Sequence, residues 1–135
     1  MSISLTASLT LTGEILDLAR AVAAFGVYTN ACDLTDDASN RDMHSIYGDY
    51  RSLDRSTWLY NNLGGPIGGH KACEITADEA DLLRAHAVEA LDTAGDRLAD
   101  PQEIQDRCWG AEGIARTRAY VADVQRVIDY LDALA

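Results

Sequence analysis

The sequence predicts an α+β fold that is mainly helical: an N-terminal β-strand, a small sheet, and a long C-terminal antiparallel helical hairpin. Three patterns predict it. From Ser2 to Thr12 the residues alternate strictly, with Ile3, Leu5, Ala7, Leu9 and Leu11 on one side and serines and threonines on the other, which is the period of a half-buried strand. Thr76 and Glu79 have capping-box spacing ahead of an apolar stripe of Ala80, Leu83, Ala87, Leu91, Ala94 and Leu98, which makes the stretch up to about Ala99 a helix. In the last segment Ile114, Val121 and Ile128 repeat at sevens, as do Val124 and Leu131, and Tyr120 and Val127 widen the same face. A face that broad needs a long partner, and the helix beginning near Ala77 is the nearest one, with a second subunit as the alternative.

The elements between these follow from local signals. Gly13 ends the alternation, and Ile15, Leu18, Ala19, Val22 and Phe25 then recur at helical spacing behind Glu14 and Asp17, so a helix is expected from Gly13 to Phe25, stopped at Gly26. The stretch from Val27 to Cys73 is poorly patterned, with short helices expected after Thr35 and Ser52 and a break at Gly48. Gly64, Gly65, Pro66, Ile67, Gly68 and Gly69 make a loop, and Ala72 to Ile75 a second short strand able to pair with the first. Asp100 and Pro101 have the N-cap and N1 preferences of a further helical turn, which Gly110 and Gly113 interrupt before the final helix begins near Ile114. The 135 residues thus read as one domain in three parts: a strand–helix unit over 1–26, an irregular middle with its glycine-rich loop over 27–75, and the helical hairpin over 76–135.

Charge narrows the choice of partner. Eleven basic residues against 22 acidic ones give a net charge of −11. Such a field repels phosphate backbones and anionic lipid and attracts cationic surfaces. The basic residues are scattered, as at Arg51, Arg55, Arg116 and Arg118, so direct nucleic-acid binding is not expected. Sixteen aspartates, ten arginines, 21 alanines and the single lysine Lys71 have the style of a small accessory protein of a high-GC bacterium, its phage or another mobile element. A solvated halophile surface would have the same look. Cys32, Cys73 and Cys108 show no paired spacing, which favours reduced thiols in a cytoplasm over a disulfide framework. The apolar run from Ala21 to Val27 is much shorter than the ~20 residues of a membrane span, and no basic segment precedes it, so neither insertion nor export is expected.

Two groups of residues are candidates for partner binding. Asp78, Asp81, Glu89, Asp92 and Asp96 fall opposite the apolar stripe of their helix and present negative charge along one line. Tyr47, Tyr50, Arg51, Trp58 and Tyr60 are of the types that dominate interface energetics, although aromatics on short helices commonly belong to the core. Neither cofactor nor metal is expected. His44, His70, Cys32 and Cys73 have only one ligand-like spacing, His70 to Cys73, where a closed zinc site normally shows two. Asp33, Thr35, Asp37 and Ser39 mimic the odd positions of a calcium loop, but Ala38 replaces its glycine and His44 its closing glutamate. The glycine loop lacks the Lys-Ser/Thr end of a phosphate cradle, no nucleophile motif frames Cys73, His70 and Glu74, and His86 reads as a boundary residue.

These features predict an acidic, non-enzymatic module that inhibits or neutralises a protein with a basic surface, in the manner of an inhibitor, antitoxin, immunity or anti-defence factor; a mimic of nucleic-acid charge is the sharpest form. Two other classes remain: a small enzyme using His44, His70, Asp49 and Tyr47 from the middle segment, and a self-assembling structural subunit. A homodimer is expected from either the polar edge of the first strand or the apolar face of the last helix.

Overall fold

A computed structural model of the chain describes residues 8–100, 102 and 110–134. Their elements are β1 (Ser8–Thr12), α1 (Gly13–Ser39), α2 (Met43–Asn62), β2 (Ala72–Thr76), α3 (Ala77–Ala99) and α4 (Gly110–Ala133). The architecture is the expected one: mainly helical, with an N-terminal strand in a small sheet and a C-terminal helical hairpin. Residues Ser2 to Ala7 of the expected strand, the turn at Pro101, and Cys108 lie outside the described residues.

Alternation sets the sheet. β1 pairs antiparallel with β2, Ser8 opposite Thr76 and Thr12 opposite Ala72, so Leu9 and Leu11 face inward beside Ile75. Each strand runs directly into a helix. The Thr76 hydroxyl accepts from the Glu79 backbone N–H and the Glu79 carboxylate accepts from the Thr76 N–H, both at 3.1 Å, which closes the capping box that starts α3. Behind the sheet, Leu16, Ala19, Val22 and Ala23 of α1 share one core with Ala80, Leu83, Ala87 and Ala90 of α3 and Val124, Val127, Ile128 and Leu131 of α4. Leu91 of the predicted stripe is half-buried at the rim of this core.

The α3–α4 pair is antiparallel. Arg84, near the start of α3, grips Asp132, near the end of α4, through Nε at 2.7 Å and Nη2 at 3.1 Å. Arg126 of α4 reaches Glu14 of α1 at 2.7 Å, and the Tyr130 hydroxyl donates to the Thr10 carbonyl on β1. The apolar face of α4 is therefore covered within the chain by α3 and α1, and one carbonyl of β1 is already occupied. Of the two surfaces offered for a homodimer from the sequence, the α4 face thus packs within the chain, while most of the expected first strand lies outside the described residues.

The helix boundaries depart from the reading in three places. α1 does not stop at Gly26 but continues to Ser39, because the second half of the helix packs on α2 instead of the core. Half-buried Val27, Asn30, Leu34 and Asp37 recur along this half, and Ile46, Asp49, Leu53, Ser56 and Tyr60 recur along the facing side of α2. Likewise α2 runs unbroken through Gly48, where no other group approaches, and absorbs the expected helix after Ser52. At the other end of the chain α4 starts at Gly110 and takes Gly113 inside it as a buried residue. The loop after α2 is as expected, with Gly64, Gly65, Gly68 and Gly69 all at positive φ and Arg20 of α1 laid across Gly68.

His86 is buried, at 6% exposure, and is not the boundary residue its place on α3 implied. Its ring lies flat on α1 at Gly26. A Cβ there would come within 2.5–2.6 Å of three ring atoms. Ser56 Oγ of α2 sits 2.8 Å from Nε2, and Asn30 Nδ2 of α1 donates to the same hydroxyl at 2.6 Å. With Asn30 donating into it, the Ser56 hydroxyl has its own proton to give to Nε2, which suits a neutral imidazole. Burial, aided by the charge of Arg55, lowers the His86 pKa below 6.5. One polar contact thus fastens three helices where α1 changes partners.

Candidate protein-interaction surface

The five predicted acids of α3 lie along its outer side, with Asp78, Glu89, Asp92 and Asp96 exposed and Asp81 half-buried. Among the described residues none of the five has a cation within ion-pair reach. The two arginines of α3 are elsewhere, Arg84 held by Asp132 and Arg97 beside the cleft between α1, α3 and α4. From Asp78 to Asp96 the row is about 27 Å long at 1.5 Å per residue. Partial burial and the charge of Asp33 on α1 raise the Glu89 pKa, so Asp33 belongs to the same negative surface, a neighbour that sequence spacing does not show.

The aromatic group divides. Tyr47, Tyr50 and Trp58 are 67%, 54% and 68% exposed and lie with exposed Arg51 on the outer side of α2, while Tyr60 turns inward and packs on the core. Met43, at 58% exposure, joins the outer group one turn before Tyr47. The spacing 43, 47, 50, 54, 58 is a helical stripe that becomes legible only once 43–62 is known to be a single helix. The acidic and aromatic groups meet at one point, a groove of about 270 Å³ between α2 and α3 lined by Asp54, Arg55, Trp58, Asp78 and Leu82. A second cleft, of about 470 Å³, opens between α1, α3 and α4, with Phe25, Tyr28 and Tyr120 as walls and Arg97 and Arg116 beside it.

The groups considered for chemistry are dispersed. His44 is exposed in the first turn of α2, and His70 lies against Gly64 beyond its other end, on the order of 30 Å away by helix length. They cannot serve one active site, which removes the pairing the enzyme reading used. Cys32 is exposed on α1 and Cys73 half-buried on β2, both free thiols. Among the described residues no three His, Cys, Asp or Glu side chains are placed to hold a metal ion. No helix there is long and apolar enough to cross a membrane.

Asp49 and Asp37 face each other across the α1–α2 seam. Asp49 Oδ2 is buried with no hydrogen-bond donor. Once protonated, the Asp49 carboxyl bonds to Asp37, and this bond, burial, and the charges of Asp37, Asp33 and Asp42 raise its pKa to about 6. Because the folded value lies above the unfolded 3.8, the favourable contribution is complete below about 3.8 and is lost as pH rises through about 6. Asp49→Asn is expected to raise the urea midpoint at pH 7.5, with the gain shrinking towards pH 4; equal midpoints at pH 7.5 would contradict the assignment.

Comparison of the chain with protein-family models, with curated proteins and with solved structures finds no match.

Proposed function

We propose that this protein is a non-enzymatic binding module that neutralises another protein by occupying its basic surface, in the manner of an inhibitor, antitoxin, immunity or anti-defence factor. The observation that carries this reading is the outer face of α3: five carboxylates in a row, none neutralised within the described chain, on a molecule of net charge −11. Burial and the nearby charge of Asp33 raise the Glu89 pKa, and arriving lysines or arginines would offset both.

Magnitude limits the form of mimicry. Duplex DNA carries one charge per ~1.7 Å of axis. Five charges over about 27 Å are far sparser, so α3 suits a single track of four or five basic side chains and not the whole of a duplex-binding groove. The test is capture of the tagged protein's partner from lysate of its source cells, with elution in salt steps. A stoichiometric basic protein released near 0.5 M salt, where the Debye length is about 4 Å, is expected. Recovery of the bait alone at every salt step would overturn the proposal.

A further inference from the structure

The inward stripes of the α3–α4 hairpin change character along their length. On α3 the series Leu83, Ala90, Arg97, at steps of seven, begins in the core and ends on an arginine. On α4 the series Leu131, Val124, Thr117 and Val127, Tyr120, Gly113 pass from buried aliphatics to a threonine and a glycine. The members that break the pattern all line the cleft of about 470 Å³ between α1, α3 and α4. The cavity therefore lies in line with the core, where a hairpin built for packing alone would carry leucines. Its volume is that of a small-molecule site, and Phe25, Tyr28 and Tyr120 give it aromatic walls.

Charge sets the kind of molecule it takes. Acids outnumber bases two to one in this chain, yet among the described residues no acid lines the cleft and two arginines do. Neither Arg97 nor Arg116 has a carboxylate within ion-pair reach among those residues. The charge of Arg97 is felt inside, where it works against the burial that raises the Tyr120 pKa. We propose that the cleft binds a small aromatic anion, its flat ring against the aromatic walls and its acidic group on Arg97 and Arg116. Guanidinium groups take a carboxylate, sulfonate or phosphate through charge-assisted hydrogen bonds, and the rings supply the apolar contact that fixes the body of the ligand. None of the five acids of the α3 row lines this cleft, so the site stands independently of a basic partner.

Fluorescence titration of the full chain with anilinonaphthalene sulfonate tests it, beside phenylnaphthylamine, which has the same rings and no sulfonate. The anionic dye should bind at a single site, about tenfold or more tighter than the neutral one, as a charge-assisted contact to arginine implies. Replacing both arginines, Arg97→Gln with Arg116→Gln, should bring the two dyes to equal affinity. Thr117→Phe, which fills the cleft from α4, should remove single-site binding of both. Arg51→Gln, exposed on the outer side of α2 beside Tyr47 and Tyr50, should change neither. Circular dichroism should show the arginine variants folded, since both side chains are exposed and unpaired among the described residues, and they decide the matter even where Thr117→Phe does not fold. Absence of single-site binding of the anionic dye overturns the proposal. Equal affinity of the wild type for the two dyes, or a preference for the sulfonate that survives loss of both arginines, overturns it as well.

Discussion

Gly26→Ala is expected to destabilise the protein by about 2 kcal/mol or more, with a fall in Tm of roughly 6–10 °C. Ordinary helix propensity predicts the opposite sign, because alanine in a helix interior is favoured over glycine by roughly 0.5–1 kcal/mol. The sterics decide the outcome. The new methyl group would lie 2.5–2.6 Å from three atoms of the His86 ring, whose Nε2 is held by the Ser56 hydroxyl, itself bonded by Asn30. Removing the ring should reverse the sign: in a His86→Ala background, Gly26→Ala should be neutral or stabilising by up to about 1 kcal/mol. Equal losses in both backgrounds would show that the close approach is not the cause. The same ring gives acid sensitivity. Its folded pKa lies below the unfolded 6.5, so its contribution is complete above pH 6.5 and declines as pH falls below that value. This opposes the Asp49 trend, and the two separate in His86→Gln and Asp49→Asn variants, each of which removes one titrating group.

The second large effect is on binding. Reversing Asp81 and Asp92 to arginine changes the charge of the α3 face by four units at its middle. At about 1.4 kcal/mol, or tenfold, for each reversal, affinity for a basic partner should fall about 100-fold or more. Stability should stay within about 1 kcal/mol of the wild type, because neither carboxylate has an ion-pair partner among the described residues to lose. Thermal melts and titration calorimetry on the same samples separate the two effects. A loss of binding that accompanies unfolding would be uninformative about charge, so Asp92→Asn, which removes one charge without adding another, provides the graded intermediate.

The fold was legible where one physical signal dominated. Strict alternation marked β1, the Thr76–Glu79 box marked the start of α3, and the apolar repeats of α3 and α4 marked a hairpin whose core residues Ala80, Leu83, Val124 and Leu131 are indeed buried. The α1–α2 arm was illegible because its seam alternates apolar and polar residues. Asn30 meets Ser56, and Asp37 meets Asp49, at positions where a periodicity argument expects leucine. Gly26 then read as a stop, when its missing side chain is what lets His86 sit on the helix. Of the two candidate surfaces, the acid row was readable from spacing on a single helix. The exposure of Tyr47, Tyr50 and Trp58, the inward turn of Tyr60 and the membership of Met43 were not, since each depends on which side of α2 meets α1.

The central claim, that α3 acts through charge, is tested most directly by the affinity of the purified partner measured from 0.05 to 0.5 M salt (from about 14 Å to about 4 Å of Debye length). The account predicts a steep, continuous loss of affinity over this range, and a shallower slope for the Asp81/Asp92 variant. An affinity that is flat across the range, or that falls equally for both proteins, would contradict it.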